Sequence, residues 1–242
     1  MADRLFADAG LAALYDAFSA NATRPDFGFY LPMVLASDSV LDVGCGTGAL
    51  LHRARDAGHR GRLCGLDPAA GMLAQARKRT DVEWVLGDLE SVDFDREFDL
   101  VVMTGHAFQV FTTDDEVRGA LGSIRLALKN DGRFAFETRN PLKRDWERWT
   151  PEHPIEVLGA RMERQVETTT GDLVTFSHTI TGPHLDGPQV SRSTLRFLDP
   201  GRLAGFLTEA GLAVKAQFGD WEKGPLTEAS PEIITVAEKM AG

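Results

Sequence analysis

The sequence predicts an α/β protein, with a mostly parallel sheet covered by helices and an antiparallel β insertion late in the chain. Three observations predict it. Short apolar strands alternate with helical segments from about residue 38 to residue 139. A glycine-rich turn, Gly44-Cys45-Gly46-Thr47-Gly48, joins the first strand to the helix after it. The helical period then disappears from Asn140 to Leu198 and returns afterwards.

Residues 1–36 form an N-terminal helical cap in this reading. Leu11, Leu14, Tyr15 and Phe18 fall at helical spacing, and Pro25 and Pro32 break the region into pieces. Residues 37–139 make the α/β core. Val40–Val43 is its first strand, and the following helix, from Ala49 to Ala57, stops at Gly58. A second strand runs from Arg62 to Leu66 and ends at Asp67, after which Pro68 opens a helix through Met72, Leu73 and Ala76. Val82–Leu86 and Phe98–Met103 are the third and fourth strands. Thr113-x-x-Glu116 is a capping-box pattern, and Val117, Ala120, Leu121, Ile124 and Leu128 give its helix an apolar face. Asn130-Asp131-Gly132 turns into a fifth strand, Arg133–Thr138.

Residues 140–198 read as an antiparallel β lid. Met162–Thr169 and Leu173–Thr181 flank Gly171-Asp172, and Val190–Phe197 follows. Residues 199–242 complete the core. Asp199-Pro200 starts a helix, with an acid at the N-cap and proline at N1. Leu212–Phe218 and Ile233–Ala237 have no helical pattern between them and are expected to close the sheet as an antiparallel hairpin.

The 242 residues carry a formal net charge of −10, which repels phosphate backbones and argues against a nucleic-acid partner. No apolar run reaches the roughly 18 residues that cross a bilayer, so no membrane partner is expected. The N-terminus has an early acid and no uninterrupted apolar stretch, unlike a signal peptide. With only Cys45 and Cys64, a cytoplasmic location is the expectation. Composition leaves the oligomeric state open.

The glycine-rich turn lets backbone approach a ligand, and the helix after it directs free N–H groups there. Gly44-x-Gly46-x-x-Ala49 also satisfies the loose dinucleotide pattern, and Asp67 can accept ribose hydroxyls under either reading. A nicotinamide-dependent oxidoreductase is therefore the alternative. Asp88, closing the third strand in Gly87-Asp88-Leu89, favours a different cofactor, because a carboxylate there can accept the exocyclic N–H of an adenine.

Taken together, Val40–Gly48, Gly65–Pro68 with Met72-Leu73, and Gly87–Leu89 resemble the first three motifs of class I S-adenosylmethionine-dependent methyltransferases. The resemblance covers about residues 38–139 and 199–239. It implies a Rossmann-like seven-stranded sheet with a reversed final strand, S-adenosylmethionine as cofactor and a small-molecule acceptor. It puts Asp42, Gly44, Cys45 and Gly46 at the methionine portion of the cofactor, Asp67 with Pro68 at the ribose, and Met72, Asp88 and Leu89 at the adenine. Leu14-Tyr15-Asp16-Ala17-Phe18 resembles the helix that closes over the cofactor in small-molecule and sugar N-methyltransferases, which implicates Tyr15.

Methyl transfer is an in-line displacement, so the protein mainly aligns donor and acceptor. The fourth strand ends in Met103-Thr104-Gly105-His106, where family members place residues beside the transferred methyl. Thr104 is expected on the cofactor wall, and His106 is the candidate general base, with an ordinary pKa near 6.5. The segment lacks both the Asp/Asn-Pro-Pro-aromatic motif and an acidic pair, so no metal is expected. Val174, Phe176, His178 and Ile180 share one strand face, which offers His178 to the acceptor. Glu137, Arg139 and Asn140 follow the fifth strand toward the same space, and Trp146 and Trp149 offer walls for it; Arg139, Asn140 and Trp146 are the other expected acceptor contacts. A non-catalytic protein that binds S-adenosylmethionine is the remaining alternative.

Overall fold

The computed structural model describes residues 3–20, 24–183 and 185–240. Two short helices, α1 (Arg4–Ala7) and α2 (Ala9–Ala20), precede α3 (Asp26–Leu35). The core follows as β1 (Ser39–Val43), α4 (Ala49–Asp56), β2 (Arg62–Asp67), α5 (Ala70–Ala76), β3 (Glu83–Leu86), β4 (Phe98–Met103), α6 (Asp114–Ala127) and β5 (Leu128–Arg139). The second sheet contains β6 (Ile155–Val157), β7 (Ala160–Thr170), β8 (Leu173–Thr181) and β9 (Gln189–Arg196). The chain ends with α7 (Pro200–Glu209), β10 (Leu212–Phe218) and β11 (Glu232–Lys239).

The main sheet has the order β10-β11-β5-β4-β1-β2-β3. Parallel pairing joins β1 to both β2 and β4, while β11 runs antiparallel to β5 and β10. The chain leaves β1 toward one edge through β2 and β3, then returns to β4 on its other side. That reversal opens a crevice at the carboxyl ends of β1 and β4, where ligands bind in open α/β sheets.

Period two decides the two faces. Leu41, Val101 and Phe134 pack with Val117, Leu121 and Ile124 of α6 and Leu203 and Leu207 of α7. Their neighbours Val40, Leu100 and Ala135 pack with Phe27, Tyr30 and Val34 of α3 and Leu50 and Leu51 of α4. Burial on both faces explains why these strands read as continuous apolar runs. The capping box forms at Thr113 and Glu116, and Asp199 accepts from Gly201 and Arg202.

Three details differ from the sequence expectation. Pro32 lies inside α3 and does not end it. The ring is on the exposed side, so water can satisfy the Gly28 carbonyl that loses its partner. Asn130-Asp131-Gly132 does not precede the fifth strand but bulges within it. Asp131 has φ +61°, and pairing with β4 jumps from Leu128 to Arg133. The closing strands pair antiparallel, but residues 219–231 join them as a long loop instead of a tight hairpin.

The second sheet is antiparallel throughout. Its Ala160, Met162 and Ile180 pack against Leu11 and Phe18 of α2. On its other side α2 meets Met72 of α5 through Ala12, with Tyr15 and Phe6 alongside. The N-terminal helix thus spans from the core to the second sheet, above the crevice.

Candidate active site

A cavity of about 900 Å³ runs from the glycine-rich turn to the underside of the second sheet. That is in the upper part of the range for small-molecule sites. One half rests on β1–β3, the other on β4, β5, β11 and the sheet above.

The first half is built from backbone and carboxylates. Asp67 accepts from Gly46 N–H at 2.8 Å and from Ala69 N–H at 2.8 Å, so it ties the glycine turn to the start of α5. Burial raises its carboxyl above the ordinary value, against the pull of these two bonds. Gly46 has φ +56°, and a β-carbon there would meet no atom within 4 Å, so the turn leaves open space on that side. Gly48 serves packing instead, because its β-carbon would lie 2.3 Å from the Trp84 ring. Asp88 uses Oδ1 to accept from Glu90 and Ser91, which shapes the turn after β3. Gly44, Pro68, Met72, Leu89, Thr104 and Tyr15 also line this half.

Asp42 and Cys45 do not line the cavity, a correction to their expected side-chain contacts. The Cys45 side chain is buried against Leu73, Ala76 and Trp84, and its N–H donates to the Leu66 carbonyl. Asp42 lies beneath the turn, 1% exposed, with Oδ1 lacking a hydrogen-bond partner. Burial, aided by the Asp67 charge, pushes its carboxyl up to about 8.

In the second half, β4 ends in two successive left-handed residues, Gly105 at φ +68° and His106 at φ +62°. A non-glycine residue there is strained, and the surrounding structure must hold it. Glu137 does so by accepting from His106 N–H at 2.7 Å, while Tyr30 donates its hydroxyl to the other oxygen. The turn points the imidazole at β11, where Nε2 lies 2.9 Å from Oε2 of Glu232. Burial and nearby Arg139 push His106 down to about 3, whereas burial pushes Glu232 up to about 7. The expectation of an imidazole titrating near 6.5 is therefore corrected. Burial thus disfavours the charged form of both members of the pair.

The far wall is aromatic and cationic. Trp149 and Phe176 meet at 4.6 Å between ring centroids, and His178 stands 5.1 Å from Phe176. Arg139 and Arg164 lie over the Trp149 ring at 5.4 and 5.6 Å. Asn140 and Trp146 are not part of this wall, which corrects their expected role. Asn140 donates to the Ser230 carbonyl and accepts from Leu142, holding the 219–231 loop. Trp146 packs edge-on against Phe197 at 4.4 Å, outside the cavity.

Sequence reasoning missed Glu232 and Arg164, Trp221 in the same cavity lining, and Tyr30, which holds Glu137; of the two tryptophans it offered, Trp149 lines the wall and Trp146 does not. The antiparallel register offered one signal, since Glu232 pairs with Arg139 and so lies at the same sheet end as the fifth-strand residues. Among the described residues, no three His, Cys, Asp or Glu side chains converge as a metal site.

Residues 40–132 match the family model of a methyltransferase domain. The malonyl-[acyl-carrier protein] O-methyltransferase of Acetivibrio thermocellus is 35% identical over 102 residues, which cover 41% of this chain and only 35% of that protein. The cypemycin N-terminal methyltransferase of a Streptomyces species is 28% identical over 216 residues, covering 84% of this chain and 83% of that protein. The structure of the CcbJ methyltransferase from Streptomyces caelestis superposes with a TM-score of 0.79 at 20% identity, covering 96% of each chain.

Proposed function

We propose that this chain, a class I S-adenosylmethionine-dependent methyltransferase by its matched domain and sheet topology, methylates a small-molecule acceptor lodged beneath the second sheet. The observation that carries this reading is the continuity of the cavity, from the paired acids at the ends of β2 and β3 to the titratable pair at β4 and β11. The relatives named above as O- and N-terminal methyltransferases bear differing acceptors in their names, so this reading takes an acceptor with either an N–H or an O–H.

The residues present fit the cofactor. Gly46 leaves open space beside the turn, and Asp67 and Asp88 line the crevice where a ribose and an adenine require acceptors. Gly44, Gly46 and Thr104 would hold the methionine end, with Pro68, Met72 and Leu89 packing along the nucleoside. Bound there, S-adenosylmethionine supplies an electrophilic methyl on a sulfonium.

The chain's own task is alignment, exclusion of water and removal of a proton. We assign the proton to Glu232. Burial raises its carboxyl to about 7, and the acceptor's N–H or O–H proton passes to this carboxylate. His106, held by Glu137, positions that carboxylate through Nε2. Residues 1–36 and 140–198 act as a two-part cover over the 37–139 and 199–242 core, joined where α2 meets the second sheet. The net charge of −10 supports a metabolite in place of a nucleic acid, and two free buried cysteines fit a cytoplasmic location. No helix among the described residues is long and apolar enough to cross a membrane.

Incubating the protein with methyl-labelled S-adenosylmethionine and a metabolite panel, with mass detection of products, tests the assignment. Labelled product supports it. Binding of NAD with no binding of S-adenosylhomocysteine overturns it in favour of the oxidoreductase.

A further inference from the structure

The upper wall of the cavity carries two guanidinium groups that the proposed chemistry does not use. Arg164 on β7 has no carboxylate within ion-pair distance among the described residues, and its charge rests over the Trp149 ring. Arg139, at the end of β5, has only the neutral Gln109 amide oxygen, at 2.9 Å. Several other arginines behave differently. Arg24, Arg62, Arg79, Arg161, Arg192, Arg196 and Arg202 each meet a carboxylate within 3.0 Å. Arg139 and Arg164 thus face one cavity without such a partner among the described residues.

Geometry brings a third group to them. Arg164 and His178 are directly opposed on the β7–β8 ladder, so their side chains share one face as neighbours. Nδ1 of His178 is buried and lacks a hydrogen-bond partner. Asp145 pulls on both arginines, Glu232 and Glu137 pull on Arg139, and Arg148 repels Arg164; none of these carboxylates reaches ion-pair distance of either guanidinium, and Asp145 lies outside the cavity wall. Burial and mutual repulsion hold Arg164 below its ordinary value, and burial does the same to Arg139, so both gain from an incoming negative charge.

Resting on the acceptor-site reading above, we propose that Arg139, Arg164 and His178 form an oxyanion subsite that anchors a carboxylate or phosphate of the methyl acceptor. Guanidinium forks suit planar or tetrahedral oxyanions and fix orientation as well as position. The anchored group lies against Trp149 and Phe176. The remainder of the acceptor extends toward Glu232 and His106, which places its nucleophilic atom at the opposite end from its anion. The acceptor class is thus a small bifunctional molecule, with an anionic handle and a separate amine or hydroxyl.

The test uses protein labelled at arginine, with and without S-adenosylhomocysteine, titrated separately with inorganic phosphate and with succinate. The readout is the Nε–H resonances of Arg139 and Arg164, assigned by loss of each peak in the lysine variants. The account expects at least one ion to shift both resonances at millimolar concentration. Arg164→Gln should weaken that binding, read at Arg139, by about tenfold or more, with S-adenosylhomocysteine affinity unchanged. The tighter of the two ions identifies the handle as phosphate or carboxylate. Absence of shifts with either ion overturns the subsite, as does binding that Arg164→Gln leaves intact. If Arg164→Gln does not fold, the wild-type resonance shifts and a several-fold weakening in His178→Gln decide the matter. Because the anion titration is also run without S-adenosylhomocysteine, failure of that ligand to bind counts against the cofactor assignment alone.

Discussion

The two halves of the cavity are built on different principles. In the half at β1–β3, acids are satisfied by nearby backbone. Asp67 holds two N–H groups and Asp88 holds two, all within a few residues of a strand end or turn. In the half at β4, β5 and β11, side chains far apart in sequence meet one another. His106 and Glu232 are 126 residues apart, and Tyr30 and Glu137 are 107 apart. The first half is a cradle held by backbone hydrogen bonds to its two acids. The second keeps its charges partly unsatisfied, with a carboxyl near neutrality and two guanidiniums without acids. In the reading proposed above, cofactor binding belongs to the first half, and proton handling and acceptor choice to the second.

The largest expected effect tests the second half. Glu232→Gln keeps the contact with His106 but cannot take a proton, and it should lower kcat by about 10²- to 10⁴-fold. In the wild type, kcat/KM should rise with pH through about 7 as Glu232 ionises, and this limb should vanish in the variant. A retained limb would move the base elsewhere. His106→Gln should lower kcat less, since its role is to position the carboxylate.

Next in size is loss of the cradle. Asp67→Ala removes charge-assisted bonds worth roughly 1.5–3 kcal/mol, so S-adenosylhomocysteine affinity should fall about 10- to 150-fold. Calorimetry reads this directly, and an unchanged affinity would take Asp67 out of the site.

The two glycines separate packing from ligand approach. Both have left-handed φ, which costs an alanine about 1–2 kcal/mol. Gly48→Ala also collides with Trp84, so its melting temperature should fall further than that of Gly46→Ala. Gly46→Ala should show the greater loss of cofactor affinity. The reverse ranking would assign Gly46 to structure.

The last expected effect concerns Asp42 and is read as a dependence of stability on pH. Its carboxyl titrates near 8 in the fold and near 3.8 in the open chain. Between those values the folded state holds a proton that the unfolded state has released, so stability falls as pH rises. The slope approaches about 1.4 kcal/mol per pH unit at most. Asp42→Asn should flatten that decline between pH 6 and 8 in ligand-free protein, as read by denaturant midpoints, after allowing for Glu232 in the same range. An equal decline in the variant would place the proton uptake elsewhere.

This contrast also explains what the sequence made legible. The cradle is a local pattern of strand end, turn and helix start, so Gly44, Gly46, Asp67 and Asp88 could be located from spacing. The parallel order was readable because alternating elements leave few connections. His178 was found because period two fixes its face. Glu232 was not, because it opens an isolated final strand and its partner is set by sheet register, which composition does not encode. Asn140 and Trp146 were misplaced for a related reason. Following the fifth strand puts a residue near the site, but the turn there directs both side chains into structural contacts. Cys45 lies within the motif, yet its side chain points to the core.

The central claim is that the halves are separable, and one calorimetric series tests it most directly. S-adenosylhomocysteine is titrated into wild type, Asp67→Ala and Glu232→Gln, with NAD as the control ligand. The account predicts saturable binding to wild type, the 10- to 150-fold weakening in Asp67→Ala, unchanged affinity in Glu232→Gln and no binding of NAD. Equal weakening in both variants, or NAD binding in place of S-adenosylhomocysteine, would contradict it.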